Sequence, residues 1–150
     1  MPRSAGMNLV FRLGTSAFSL SVDDLAEIRQ EPASQLTDDE NRSFPYCLGT
    51  LAYRDQKIPV INLKALFRIP TGSGGGDLLN LLILVGESGF WGVPVSRIEG
   101  IFPLSAFSVC RAPFLAMLTG PRPYQTLELW RDELLIRCDA LWLEQFWCRA

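Results

Sequence analysis

The sequence predicts an all-β protein built from two copies of one small unit. Apolar residues alternate over short stretches and no long amphipathic helix separates them, which is typical of an antiparallel barrel or sandwich. The segment 51–67, LAYRDQKIPVINLKALF, also returns as 127–143, LELWRDELLIRCDALWL. Within it, Tyr53-Arg54-Asp55 becomes Trp130-Arg131-Asp132, a shift of 77 residues (53 to 130). A repeat that includes a turn, a strand and the segment after it indicates duplication.

The N-terminal part is predicted to form a strand, a turn and a second strand. Leu9–Leu13 is the first strand and Gly14–Ala17 the turn. Residues 18–22, FSLSV, then alternate apolar and polar side chains. This alternation predicts a half-buried strand with one polar face.

An acidic pair, Asp23-Asp24, is expected to start a helical turn or a bend that carries Leu25 and Ile28 inward. The same order returns in the second half, where Val85–Gly89 matches Leu13–Ala17 at a shift of 72 (13 to 85). The strand and bend residues return at a shift of 73 (18 to 91): Phe18, Leu20, Val22, Leu25 and Ile28 correspond to Trp91, Val93, Val95, Ile98 and Ile101.

A hairpin follows in each half, and in the first half its polar tip is RDQK at 54–57. Asn62 opens the segment Leu63–Phe67, and Asp139 opens Ala140–Phe146 at the matching place. The second of these segments is predicted as a short helix capped by Asp139, because an aspartate side chain satisfies free amides at a helix start. One apolar stripe of that helix is expected to pack onto the protein: Leu141, Trp142, Gln145 and Phe146.

Three stretches are expected to be irregular. Arg68–Asp77, RIPTGSGGGD, is a flexible connector between the halves, and it is not a phosphate loop because no GK[ST] follows its glycines. Glu31–Pro45 is polar and acidic and is expected to cross the surface. Phe102–Pro123 holds four prolines, with Ala112–Leu118 as a helical turn or two at most.

Each half is too small to support a core of its own, so the halves should pack together. Trp91 is assigned to the core because it matches Phe18, whereas Trp142 and Trp147 fit either the core or a partner surface. The predicted shared core consists of Val10, Phe18, Leu20, Val22, Val60, Leu63, Leu82, Leu84, Val93, Leu135 and Ile136.

Composition excludes several classes of protein. The 150 residues are 48% hydrophobic and 20% charged, which is typical of a globular protein. No apolar run approaches the ~20 residues of a membrane span, and the N-terminus lacks a secretory signal pattern, so we expect a soluble cytoplasmic protein. The four cysteines form no CxxC pair, which favours buried free thiols. A net charge of −2 without a basic run offers little to nucleic acid.

Catalysis has little support in the sequence. There is no histidine, which excludes histidine-based acid–base chemistry and histidine metal ligation. The acidic groups Asp23-Asp24 and Asp38-Asp39-Glu40 lie in polar stretches where carboxylates are usually solvated. No serine or cysteine stands in a recognisable nucleophile motif. We therefore predict a protein that is not an enzyme and has no cofactor and no metal site.

The ordered motifs resemble those of CheW-like coupling proteins. They are LVFRLG at 9–14, FSLSVDDLAEI at 18–28, Gly49, YRD at 53–55 and IPVINL at 58–63, with a second copy closing in LLIRCDALWL at 134–143. The resemblance spans about residues 8–147. It departs from the usual family pattern at Asp55, Asn62 and Ser96, where glycine, aspartate and aspartate are common.

The resemblance implies two SH3-like five-stranded β-barrels that share a hydrophobic core and leave a groove between them. Subdomain 1 would cover about 15–68 and subdomain 2 about 83–138, with the terminal segments completing the two barrels. The family's members are scaffolds that bind the regulatory domain of the CheA histidine kinase and the cytoplasmic tips of methyl-accepting chemoreceptors. The implied role is therefore coupling in bacterial chemotaxis or a divergent motility- or pilus-linked system, in the cytoplasm at receptor arrays.

Partner-binding or groove-shaping positions carry over by resemblance to six residues: Leu25, Glu27, Gly49, Tyr53, Arg54 and Asp55. Glu27 and Arg54 stand where the family tends to place an acid and a base. Either they pair and hold the bend against the hairpin tip, or they are two unrelated surface charges. An alternative function for the whole chain is a small β-barrel nucleic-acid-binding module, which the acidic balance disfavours.

Overall fold

The computed structural model describes residues 6–37, 45–70, 77–110, 123 and 126–149. Within these residues the strands are β1 (Met7–Leu13), β2 (Ser16–Ser21), β3 (Leu25–Pro32), β4 (Cys47–Tyr53), β5 (Gln56–Ile61), β6 (Leu78–Val85), β7 (Phe90–Val95), β8 (Arg97–Pro103), β9 (Phe107–Val109), β10 (Thr126–Trp130) and β11 (Glu133–Cys138). The α-helices are α1 (Leu63–Leu66) and α2 (Ala140–Arg149). The predicted all-β class is confirmed.

The strands form two sheets, each belonging to one small barrel. Barrel A has the strand order β8-β1-β2-β11-β10-β9, and barrel B has the order β3-β6-β7-β5-β4. Barrel B is one continuous stretch, whereas barrel A joins strands from both ends of the chain. The N-terminal hairpin β1–β2 therefore pairs with strands of the second half, and β6–β7 pairs with strands of the first.

The two barrels have the same topology strand by strand. β8, β1, β2, β11 and β10 of barrel A correspond to β3, β6, β7, β5 and β4 of barrel B. Each barrel has one parallel pair, β2 with β11 and β5 with β7. Each has a bulge on its first edge pair, in β1–β8 and in β3–β6. The predicted duplication is thus confirmed down to its irregularities.

Strand pairing corrects one detail of the repeat. Phe11 pairs with Phe18, and Leu84 pairs with Trp91, so β1 matches β6 at a shift of 73 residues instead of 72. The error came from matching Gly86 to Gly14. The amide of Gly86 donates to the carbonyl of Gly89 at 2.8 Å, which leaves residues 87–88 as the turn that corresponds to residues 14–15.

Hairpin and helix-start predictions are confirmed, with a shorter tip. The turn between β4 and β5 consists of Arg54 and Asp55 alone, because β5 already begins at Gln56. The Asn62 side chain accepts a hydrogen bond from the amide of Ala65 at 3.2 Å. In the second copy, the Asp139 side chain accepts one from the amide of Trp142 at 3.0 Å.

Three clusters of buried side chains make up the core. The central cluster contains residues of both sheets and both helices, as the predicted shared core requires; it includes Phe18, Leu20, Leu63, Leu82, Leu84, Trp91 and Val93. The other two clusters lie inside the individual barrels, where Val60 belongs to barrel B and Val10 and Leu135 belong to barrel A. Val22 and Ile136 are only half-buried, unlike their prediction.

Several predictions about side-chain burial are wrong. Ser19, on the predicted polar face of β2, is fully buried. Ile28 is 43% exposed because β3 is an edge strand that pairs only with β6. Cys148 is exposed, although all four cysteines are free thiols as expected.

Helix α2 packs through a different stripe from the predicted one. Its buried residues are Ala140, Leu143, Glu144 and Trp147. Leu141, on the predicted stripe, is 50% exposed, and Trp142 is half-buried. The cap at Asp139 fixes where the helix begins, and packing against the central cluster decides which face of the helix is buried.

Much of the three predicted irregular stretches, including 71–76 and Ala112–Leu118, lies outside the described residues. Where they are described, both long loops contain regular structure. Thr37 forms a β-bridge with Thr50, and β9 extends barrel A at the corresponding place. The amide of Cys110 donates to the carbonyl of Leu127 at 2.8 Å, which repeats the Thr37–Thr50 pairing in the second half.

Candidate partner-binding site

The β4–β5 hairpin ends in a tight turn with an unusual backbone. Arg54 has φ 48° and Asp55 has φ 60°, so both residues are left-handed. Two consecutive left-handed residues are typical of the type I′ turn, whose twist matches that of the flanking strands. Both side chains are exposed, and the turn presents a cation and an anion together at the end of barrel B.

Aromatic rings support this turn from below. Tyr53 is buried, and its ring meets that of Phe90 in an edge-to-face contact with centroids 5.2 Å apart. The Arg54 guanidinium lies 5.1 Å from the Tyr53 centroid and 5.4 Å from that of Phe90. Arg29 lies 5.6 Å from the Tyr53 ring. A guanidinium at such distances is attracted to the ring face, which fixes where the charge is presented.

Glu27 belongs to the same surface. Burial raises the pKa of the Tyr53 phenol, and the nearby Glu27 carboxylate raises it further. Tyr53 therefore lies between Glu27 on β3 and Arg54 at the hairpin tip. The structure brings together four of the predicted site residues: Glu27, Tyr53, Arg54 and Asp55. Whether Glu27 and Arg54 pair directly stays a prediction.

Leu25 and Gly49 lie apart from this group. Leu25 starts β3 and packs against the central cluster. Gly49 stands at a bulge in β4 with φ 153°, and a Cβ built there would lie 2.8 Å from the carbonyl oxygen of Thr37. Gly49 is therefore needed for the close approach of two backbone segments.

Sequence reasoning missed Arg29 and Phe90. Both lie on strands that neighbour the hairpin only through the sheet order, Arg29 on β3 and Phe90 on β7. Their residue types carry no signal of this role, because the contact depends on how β6–β7 inserts between β3 and β5.

Barrel A carries a matching cluster at its own hairpin tip. Arg131 and Asp132 have φ 51° and 61°. The Arg131 guanidinium lies 4.7 Å from the Trp130 ring and 5.0 Å from that of Phe102. Trp130 and Phe102 meet edge to face at 5.3 Å. The molecule thus presents two stacked arginines, one at each hairpin tip.

Two exposed isoleucines mark the edges of the central cluster. Ile28 on β3 pairs with Leu82, and Ile101 on β8 pairs with Leu9. Directly paired residues share a face of a sheet, so both isoleucines lie on the side of the central cluster. They are 43% and 46% exposed, respectively. Exposed apolar side chains at these edges are available for contact with another molecule.

An ion cluster ties barrel A together. The Arg12 guanidinium binds both carboxylate oxygens of Glu133, at 2.6 and 2.8 Å, and one oxygen of Glu99 at 2.8 Å. These hydrogen bonds raise the pKa of Arg12 and lower that of Glu133. The contact joins the first strand of the chain to the last, because β1 and β11 flank β2 in the sheet.

One pocket of about 200 Å³ lies between β5, β7 and α2, with Ile58, Phe90, Trp91, Glu144 and Trp147 among its lining residues. Among the residues that the structure describes, no three His, Cys, Asp or Glu side chains come together in a way that could hold a metal ion. Neither described helix is long and apolar enough to cross a membrane.

Comparisons with known proteins agree with this architecture. The family model described as CheW-like domain matches residues 8–124. The crystal structure of the scaffolding protein TtCheW from Thermoanaerobacter tengcongensis is similar, with a TM-score of 0.73 at 18% identity. The match covers 93% of this chain and 92% of that one. A comparison with curated proteins gives no match.

Proposed function

The chain belongs to the CheW-like domain family, and we therefore propose that it is a noncatalytic coupling scaffold of a bacterial chemosensory system. Its partners are the regulatory domain of a CheA-type histidine kinase and the cytoplasmic tip of a methyl-accepting chemoreceptor. The observation that carries the proposal is the family match over residues 8–124, on a fold of two joined barrels. The protein acts in the cytoplasm, where receptor arrays recruit it.

The barrel B hairpin tip is the proposed contact for the kinase domain. Arg54 is exposed yet held over two rings, so it loses little side-chain entropy when a partner binds. Asp55 beside it adds a charge of the opposite sign, which favours one orientation of the partner. Glu27 and Tyr53 shape this surface from below, and Leu25 and Gly49 act at a distance by fixing the strands β3 and β4.

The edges of the central cluster are the proposed contact for the receptor. Chemoreceptor tips are helical hairpins, and a helix uses one apolar stripe to bind a groove. Ile28 and Ile101 supply exposed apolar side chains on the face that both barrels share. A receptor helix on this face would touch both barrels at once.

Two of the three departures from the family pattern have a structural role. Asn62 caps α1 as an aspartate would, and the Ser96 hydroxyl accepts a hydrogen bond from the amide of Gly14 at 2.8 Å. Asp55 lies at the tip itself, so it is the departure that bears on partner choice. A divergent motility- or pilus-linked pathway is the proposed setting.

The proposed scaffold acts by holding the kinase and the receptor next to each other. Binding kinase and receptor on separate surfaces raises the effective concentration of one beside the other. A coupling free energy between the two sites then passes a receptor signal to the kinase. No bond is made or broken in this role.

Binding titrations with the kinase regulatory domain and a receptor tip fragment from the same genome test the proposal. Arg54→Glu is expected to weaken kinase-domain binding by roughly tenfold and leave receptor binding unchanged. Ile28→Asp is expected to do the reverse. Val109→Asp is the control, because Val109 is exposed on β9, at the opposite edge of the barrel A sheet from β8. A wild-type chain that binds neither partner would reject the function.

A charge exchange tests the proposed Glu27–Arg54 pairing. Glu27→Arg and Arg54→Glu are expected to weaken kinase-domain binding singly, and the double variant is expected to recover part of it. An exposed pair contributes only about 0–1 kcal/mol, so the recovery reflects the shape of the surface. Losses that simply add in the double variant would show that the two charges act independently.

We also propose that the duplicated units cover about 15–68 and 83–138. The hairpins β1–β2 and β6–β7, at the start of the two units, then complete barrel A and barrel B, respectively.

A further inference from the structure

Equivalent positions of the two barrels differ sharply in polarity. Strand pairing fixes the equivalence, because β1, β2 and β8 match β6, β7 and β3 at a shift of 73 residues (11 to 84). β10 and β11 match β4 and β5 at a shift of 77 (60 to 137). Each residue compared below in these five strands of barrel A therefore has one counterpart in barrel B.

The first difference lies near the hairpin-tip end of the barrels. In barrel A, Arg12 on β1 binds Glu99 on β8 and Glu133 on β11. The counterparts in barrel B are Val85, Ala26 and Gln56, which carry no charge. One strand thus carries a cation that fits two carboxylates in barrel A, while its duplicate carries an apolar side chain.

The second difference lies inside the barrels. In barrel A, the buried Glu128 carboxylate accepts from the Ser19 hydroxyl at 3.4 Å and lies 3.6 Å from the Arg137 guanidinium. Asn8 is 1% exposed on the same face of β1 as Val10, which lies inside barrel A.

Barrel B has apolar residues at all of these places. Leu51 and Val60 replace Glu128 and Arg137, and Leu81 and Gly92 replace Asn8 and Ser19. Leu51, Val60 and Leu81 belong to one buried cluster, and a Cβ built on Gly92 would lie 3.5 Å from Val60. The same four sites are therefore polar in one barrel and apolar in the other.

We infer that these polar residues sort the strands between the two barrels. Hairpins β1–β2 and β6–β7 come from duplicated sequence and have the same pairing geometry, so geometry alone does not decide which barrel each one completes. The charged and polar residues make that choice unambiguous. These residues are called the label below. Only the hairpin β1–β2 carries Arg12 and Ser19, and only β8, β10 and β11 carry the carboxylates that bind them.

Mis-sorting would leave charges without partners in both barrels. With β6–β7 in barrel A, Val85 would face Glu99 and Glu133, and Gly92 in place of Ser19 would leave the buried Glu128 without its hydroxyl donor. With β1–β2 in barrel B, Arg12 would lie beside Ala26 and Gln56 with no carboxylate. A partly buried carboxylate that loses its hydrogen-bonded cation is destabilised, because its lost hydration is no longer compensated. The native strand arrangement is thus selected because the mis-sorted one is destabilised.

Copying the label into barrel B tests the inference. The triple variant Ala26→Glu, Gln56→Glu, Val85→Arg gives both barrels the same ion cluster and leaves barrel A untouched. The matched control, Ala26→Arg, Gln56→Arg, Val85→Glu, places an ion cluster of opposite sense at the same sites. In the control, a misplaced β1 or β6 would meet like charges, so its sorting should remain correct.

Both variants and the wild type are refolded from urea at several chain concentrations. Light scattering then measures the fraction of dimer, and tryptophan fluorescence measures the refolding phases. The final urea concentration is set so that all three folded proteins have equal stability. The copied label is expected to give a several-fold larger fraction of strand-exchanged dimer or slow-refolding monomer, while the control behaves like the wild type.

Two outcomes would overturn the inference. One is a copied-label variant that refolds as the wild type does. The other is a control that loses as much as the copied-label variant or more, because the added charges themselves would then be the cause. Failure of the copied-label variant to fold, beside a control that folds, supports the inference.

Discussion

At the residue scale, the hairpin tips combine an unfavourable backbone with a favourable side-chain contact. Left-handed φ costs a residue with a Cβ roughly 1 kcal/mol, less for aspartate than for arginine. At both tips the arginine stands first and lies over two rings. The stacking offsets part of the backbone cost and keeps the charge at a fixed place on the surface.

Asp55→Gly is expected to stabilise the protein by about 0.5–1 kcal/mol, because glycine adopts φ 60° without steric cost. Asp55→Ala is expected to destabilise it. Urea unfolding measures both changes, and Asp132→Gly at the second tip should reproduce the first result. Equal stabilities of the glycine and alanine variants would contradict the role assigned to the backbone.

Arg12→Met is expected to cost about 1–3 kcal/mol of unfolding free energy at neutral pH, since it leaves Glu99 and Glu133 without their hydrogen-bonded cation. Arg97→Met is the control, because Arg97 is largely exposed and lies 3.5 Å from Glu99. A control that costs as much would contradict the special role of Arg12.

The ion pair between Arg12 and Glu133 also makes the stability of the protein depend on pH. Arg12 lowers the pKa of Glu133 below its ordinary 4.5, so the folded state favours the carboxylate. Its contribution is fully present above pH 4.5 and is lost as the pH falls through the lowered value. The stability difference between wild type and Arg12→Met should therefore shrink in acid. A difference that stays constant from neutral pH to pH 3 would rule out this linkage.

At the element scale, capping determines where helix α2 begins and packing determines which of its faces is buried. Asp139 fixes the first turn, and the central cluster takes up Ala140, Leu143 and Trp147. Trp147 reaches Trp91 with ring centroids 5.3 Å apart, which fastens the helix to β7 of barrel B. The last element of the chain thus joins both barrels through one face.

Leu143→Ala is expected to cost about 2–5 kcal/mol, because it removes a fully buried side chain from the central cluster. Leu141→Ala, two residues earlier on an exposed face, is expected to change stability by less than about 0.5 kcal/mol. Thermal and urea unfolding compare the two. Equal losses would mean that the helix packs through the stripe predicted from sequence.

At the scale of the whole molecule, neither half of the chain contains a complete barrel. Barrel A needs β1–β2 from the first half, and barrel B needs β6–β7 from the second. The central cluster draws on both barrels and both helices. The two barrels should therefore unfold together as one cooperative unit.

Fragments 1–70 and 77–150 are expected to be unfolded when made separately and to regain strand structure when mixed. Circular dichroism and amide exchange measure this directly. The full chain cut once within 71–76 is the control, since it keeps every strand and begins folded. A fragment that folds by itself would contradict the shared core.

The sequence was most informative where one local pattern decides the structure. The tips at Arg54 and Arg131 and the caps at Asn62 and Asp139 were predictable because turn and cap chemistry acts over a few residues. Arg29, Phe90 and the Arg12 cluster were not, because their contacts depend on which hairpin enters which sheet. Ile28 was misplaced for a related reason, since alternation marks a face of β3 but does not tell that the strand lies at an edge.

The order of the strands along the chain implies an order in which the two barrels fold during synthesis. Barrel B is encoded without interruption from Leu25 to Val95, so it can close while the ribosome is still adding the C-terminal strands. The hairpin β1–β2 is made before barrel B but has to wait for β10 and β11 with its apolar face uncovered. This hairpin therefore finds its place after barrel B has formed, which makes it the segment that a chaperone would protect.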